Sequence, residues 1–209
     1  YIGNDYVSIE YIEQGVKDKR ILKVLPLDNI RNDNPIKISD IAGESGKKAF
    51  YEGANRYFST DHKLKNNYVD IKPDEKNFGL VRRNGHWVFK GRINYSEENK
   101  DSYGDFNVKT IPPKELVNYD ELAVSWNAVK LRVPQALDVF TSPNEDIAVV
   151  IAHNNIQIYT IDNGELSIEP IRKINLYPGE KVVMNEWATG KYIYTWEEEF
   201  LKNMVSEIE

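Results

Sequence analysis

Residues 147–161 carry the pattern that most limits what this chain can fold into. Ile147, Ala148, Val149, Val150, Ile151 and Ala152 form an unbroken apolar run, His153, Asn154 and Asn155 interrupt it, and Ile156, Ile158 and Ile161 then alternate with polar neighbours. Two short apolar segments around a polar turn make an antiparallel hairpin. A second turn at Asp162, Asn163 and Gly164 leads to a third expected strand over 166–176. Pro178 and Gly179 then turn the chain toward a fourth over 181–187. Residues 142–187 therefore read as one four-stranded sheet unit.

The same grammar recurs upstream. Residues 78–82 and 86–93 flank Asn84-Gly85, the dipeptide that supplies two positive φ values to a type I′ turn. Alternation also predicts strands over 5–12, 20–25, 36–41, 106–111, 122–126 and 128–133, with polar loops over 26–35, 62–67 and 96–105. Residues 47–58 read two ways. Ala49/Phe50, Gly53/Ala54 and Tyr57/Phe58 recur at helical spacing behind Ser45 as an N-cap, whereas alignment with the other hairpins would make 49–54 a strand.

That alignment sets Pro73-Asp74-Glu75 before one hairpin against Pro143-Asn144-Glu145 before the other, and Leu122 to Trp126 against Val182 to Trp187. It predicts a mainly β fold of antiparallel hairpin and meander sheets, with three four-stranded, blade-like or trefoil-like repeats at about 5–54, 70–128 and 138–188 in a single domain over 1–209. The turn-then-strand entry at 142–147 resembles the way propeller blades begin, without a Trp-Asp signature. If the repeat holds, Trp126 and Trp187 occupy equivalent fourth strands. From about 190 to 206 the period changes: Ile193, Trp196, Phe200 and Met204 recur at steps of three and four around Glu197, Glu198 and Glu199. This is an amphipathic helix, expected to lay its stripe over one face or open end of the sheet.

Composition narrows the function. The net charge is -6 and no dense Lys/Arg block exists, so nucleic acid is not an expected partner. No apolar stretch reaches the roughly 18 residues of a membrane helix. The absence of cysteine removes disulfides, thiol catalysis and Cys-ligated metal. The three histidines, His62, His86 and His153, fall outside any metal-binding spacing, and the oxygen-rich stretches 28–34 and 94–105 lack the alternation of a calcium loop. Gly43-Glu-Ser-Gly46 falls short of a nucleophile elbow. Acids such as Glu115, Asp120, Glu121 and Glu186 make no recognisable pair for glycoside cleavage by spacing alone. No catalytic, cofactor or metal residues are assigned.

Aromatic residues are the stronger binding chemistry, because flat rings give contact area at little entropic cost. Tyr51, Tyr57, Trp87, Trp126 and Trp187 are the candidates for a ligand or partner surface. The expectation is a soluble, non-catalytic binding or assembly module that engages a protein or glycan through its β-surface. Export to the cell exterior is expected from the β architecture, the Asn-rich loops and the start at Tyr1. The alternatives are a glycan-directed hydrolase and a fragment of a larger β-propeller.

Overall fold

A computed structural model of the chain describes residues 1–14, 19–60, 73–94, 103–118, 120–180, 182 and 184–206. The polar loop expected over 62–67, with His62, and most of the one over 96–105 lie outside these residues. The chain, read from sequence as one domain, divides into two compact units, Tyr1–Asp120 and Glu121–Glu209. It is mainly β, and among the described residues every strand pairing is antiparallel and the last element is a helix.

In the first unit, β1 (Tyr6–Glu13) and β2 (Lys19–Pro26) form a two-stranded ribbon, and β3 (Phe78–Arg83), β4 (His86–Asn94) and β5 (Tyr103–Asn107) form a three-stranded sheet. The turn between β3 and β4 is the one Asn-Gly dictates: Arg83 pairs with His86, with φ of 54° at Asn84 and 83° at Gly85. Side chains fasten ribbon to sheet. The Leu22 N–H donates to Asn77 Oδ1 and the Leu80 N–H donates to the Ser8 hydroxyl, both at 2.9 Å.

The ambiguous segment 47–58 is helical, inside α1 (Ile38–Thr60). The strand predicted over 36–41 is replaced by the start of the same helix, which breaks at Gly43 (φ 60°, ψ -162°). Ser45 does not cap it; its hydroxyl donates back to the Ala42 carbonyl at 3.0 Å. Gly46, Phe50, Gly53 and Ala54 form the buried face, and Phe50 meets Phe106 of β5 edge-on at 5.0 Å. Helical spacing wins because only period 3.6 gathers these residues on one side. With Val24, Phe78, Leu80, Phe89 and Ile93 they make the first core.

The second unit is a five-stranded sheet in the order β10-β8-β7-β6, with β9 paired to the far end of β8. Its strands are β6 (Ala136–Thr141), β7 (Ile147–Ala152), β8 (Asn155–Asp162), β9 (Glu165–Leu166) and β10 (Arg172–Asn175). Val139, Ala148, Val150, Tyr159 and Ile161 share one face and build the second core with Val124, Val129 and Val133. Those last residues correct the prediction. Residues 122–125 form no strand, and the strand expected over 128–133 is helix α2 (Trp126–Arg132), capped by Ser125, whose hydroxyl accepts the Ala128 N–H at 3.2 Å. The single strand predicted over 166–176 splits into β9 and β10, and the described residues of 181–187 form no strand.

Trp126 thus opens a helix and Trp187 lies in an irregular segment. They are not equivalent fourth-strand positions, and among the described residues the sheets have two, three and five strands rather than three sets of four. The amphipathic C-terminal segment is helical as expected, α3 (Tyr192–Ser206), but it does not cover the sheet. Every side chain from 192 to 203 is exposed, including Trp196 at 47% and Phe200 at 68%.

Candidate functional site

Two charged constellations in the first unit are the places to look for chemistry. Arg92, on β4, is only 2% exposed; its Nε donates to Asp105 Oδ1 at 2.6 Å, its Nη2 to Asp105 Oδ2 at 3.1 Å and its Nη1 to Glu10 Oε1 at 2.5 Å. The guanidinium also lies 3.9 Å from the centre of the Tyr103 ring, and Lys90 donates to Asp105 at 2.9 Å. Burial by itself would push the Asp105 carboxyl up, but hydrogen bonds and charge from Arg92 and Lys90 hold it below its ordinary value. Both Asp105 oxygens are occupied by cations. This is a charge-assisted tie between β1, β4 and β5 rather than a free base or nucleophile.

Asp120 is the second. It accepts from Arg82 Nη1 at 2.7 Å and from the Trp87 N–H at 2.8 Å, and its carbonyl oxygen lies 2.9 Å from His86 Nδ1. Burial raises its pKa, and the Trp87 N–H, Arg82 and His86 only partly offset that rise. Arg82 also stands 5.2 Å from the Trp87 ring centre, and Tyr1 meets that ring edge-on at 4.7 Å. With its two oxygens engaged, the Asp120 side chain closes off the β3–β4 turn. Among the described residues no group of three His, Cys, Asp or Glu side chains is placed to hold a metal ion.

The five aromatics singled out from sequence are all half-buried and are spread over both units. Tyr51 and Tyr57 pack from α1 against the first core. The Tyr51 hydroxyl donates to Glu75 at 3.2 Å, and burial, then the Glu75 charge, raises its pKa. Trp87 packs on the same core, and Trp126 packs on the second, with Lys130 Nζ 5.8 Å from its ring centre. Trp187 is half-buried in the segment before α3.

The second unit has a different surface, which aromatic content alone did not reveal. Register places Ile174, Ile156 and Ile151 side by side across β10, β8 and β7, and Ile158, Val149 and Phe140 side by side across β8, β7 and β6, with Ile147 beyond. These side chains alternate with the core residues and so point to the opposite, outer face of the sheet. Ile147, Val149, Ile151, Ile156 and Ile158 are half-buried, and Ile174 is 45% exposed. Arg172, paired with Ile158, borders this face at the β10 edge, and Asp138, paired with Ile151, borders it on β6. Against known proteins the chain matches no family model, no curated protein and no solved structure.

The signal for that face was present in the sequence. In 147–152 the larger residues Ile147, Val149 and Ile151 take the outer positions, while Ala148, Val150 and Ala152 take the core positions. A strand apolar at every position is apolar on both faces. A sheet exposed to water on one side would place polar residues at 147, 149 and 151.

Proposed function

We propose that this chain is a non-catalytic docking and assembly module that binds a protein partner through the outer face of its five-stranded sheet and through α3. The carrying observation is the apolar row Ile174-Ile156-Ile151 with Ile158 and Val149 beside it, on the side of the sheet opposite its core, exposed at Ile174 and half-buried at the others, and ending at the buried Phe140 of β6. Contiguous apolar surface rimmed by charge marks interaction sites on proteins. α3 adds a stripe of Tyr192, Ile193, Trp196 and Phe200, all exposed. Isoleucine and valine side chains favour a protein over a glycan, since sugar rings are held by flat aromatic platforms and polar side chains, and four of the five aromatic candidates, Tyr51, Tyr57, Trp87 and Trp126, pack against the two cores. The net charge of -6 argues against nucleic acid in the same reading.

A photo-crosslinking amino acid placed at Ile174 or Trp196, in cells that make the protein, tests this. The expected result is the same protein adduct from both positions, competed by excess unmodified chain, with none from Glu44 on the exposed side of α1. No adduct at either position, or adducts identical to those of the Glu44 control, would overturn the docking reading.

A further inference from the structure

Resting on that docking surface, we propose that the occupant is a second copy of this chain, with α3 of each copy lying across the β10 side of the other copy's five-stranded sheet. Three features of the second unit lead there. First, α3 has fifteen residues and no buried side chain among those described. A helix of that length is marginal in water without tertiary packing, so it needs an apolar surface to lie on. Second, the chain carries a surface of the matching kind, the outer sheet face with Ile156, Ile158 and Ile174, and α3 does not occupy it. One chain holding both halves of a contact, unmade within itself, is the arrangement that reciprocal exchange between two copies completes, and exchange of an element is a low-cost route to a two-fold dimer.

Third, the charges decide between pairings. The α3 stripe is flanked by Glu197 and Glu199, with Glu198 behind, and the only base described within the helix, Lys202, is already paired with Glu199 at 2.9 Å. Two such helices packed together would bring acidic centres face to face. The β10 edge instead offers exposed Arg172 on the same face as Ile174, with exposed Lys173 at the next edge position, whose pairing with Gln157 sets it on the other side of the strand. Acidic helix onto basic edge is the complementary combination, and like charges disfavour both the helix–helix pairing and direct β10–β10 pairing. The reciprocal contact uses Trp196 and Phe200 twice. Such buried aromatic anchors carry most of the energy in interfaces of this kind.

The test is sedimentation equilibrium on the purified full chain, with circular dichroism to confirm that each variant is folded. The wild type is expected to dimerise reversibly. Arg172→Glu with Lys173→Glu should weaken the dimer at least about tenfold, the scale of close charge pairs across an interface. Glu197→Lys with Glu199→Lys should do the same, and an equimolar mixture of the two charge-reversed proteins should recover tight pairing. Trp196→Ala with Phe200→Ala, a change that leaves the charges intact, should also give monomer. A wild-type protein that stays monomeric to its highest soluble concentration overturns self-pairing, as does a dimer indifferent to all of these changes. If that monomer still yields the shared adduct from positions 174 and 196 to a different protein, self-pairing has failed and the docking surface stands. If it yields none, both have failed.

Discussion

Asp105 and Asp120 show how two carboxylates beside arginines can differ in sign. Around Asp105 the hydrogen bonds and charges of Arg92 and Lys90 overcome the burial that would raise its pKa, and the result is a lowered value. The fold therefore favours its ionised form. That stabilisation is complete above the ordinary carboxylate pKa of about 3.9 and is lost as the pH falls through the lower, folded value. Asp120 runs the other way, because burial outweighs the Trp87 N–H, Arg82 and His86 and raises its pKa. The folded state then holds the proton more tightly than the unfolded chain, so ionising this group costs stability as the pH rises from about 3.9 through the raised value. Asp105→Asn should cost about 3 kcal/mol at neutral pH, because it leaves the 98%-shielded Arg92 guanidinium short of its bidentate partner, and it should remove part of the acid-side loss of stability. Asp120→Asn keeps an acceptor for the Trp87 N–H and should cost about 1 kcal/mol or less, while flattening the decline above pH 4. Urea midpoints measured from pH 3 to pH 8 on both variants check the two signs. Identical profiles for the two would show that the surroundings of these carboxylates do not differ as described.

At the scale of single elements, α2 carries the clearest prediction. Ser125 accepts the Ala128 N–H at the helix start, and Val129 and Val133 then enter the core four residues apart. Ser125→Ala should cost about 1 kcal/mol, the usual worth of an N-cap, measurable as a shift in urea midpoint with an unchanged slope. Ser125→Asp, which restores an acceptor, should recover most of it. The same helix shows why part of the fold was illegible. Val129, Leu131 and Val133 alternate as a strand would, yet Leu131 is 86% exposed while its two neighbours are buried. Over six residues a helical i, i+4 pair and a strand-like alternation share two of three apolar positions, so periodicity alone cannot separate them. The segment 36–41 misleads in the same way: Ile36 and Ile38 alternate as a strand would, whereas Ile38 and Ile41 lie within α1 and join the core that holds Phe50. The hairpins were legible because their information is local. Asn84-Gly85 and Asn163-Gly164 each supply two positive φ values in place, and β3–β4 and β8–β9 follow from them. The two apolar surfaces of the second unit were legible only in part: α3 and its stripe could be read from their period, whereas the outer face depended on strand register, which pairs residues distant in sequence.

At the scale of the whole molecule, two separate cores replace the three equal repeats that similar hairpins suggested. One is built by α1 and the first two sheets, the other by α2 and the five-stranded sheet, and each gathers its buried residues from within its own unit. Similar turns gave similar strand entries, but what each hairpin packs against was set by the helix that follows or precedes it. Chains of about 100 residues bury enough surface to fold alone, so segments covering 1–120 and 121–209, expressed separately with a few residues of overlap, should each unfold cooperatively in urea. The sum of their far-ultraviolet spectra should reproduce that of the intact chain. A segment lacking a cooperative transition would mean that its core depends on the other unit. Within 121–209, removal of 190–209 gives a sharper check. α3 contributes no described buried side chain, so its loss should leave the urea midpoint of a dilute, monomeric sample within about 0.5 kcal/mol of the longer form, as for other surface changes. At concentrations where the longer form self-associates, the two should diverge, because binding to the folded state alone adds stability by mass action. A truncated form already less stable at high dilution would place the contacts of α3 within its own chain, and a concentration-independent difference would remove the energetic basis for exchange between copies.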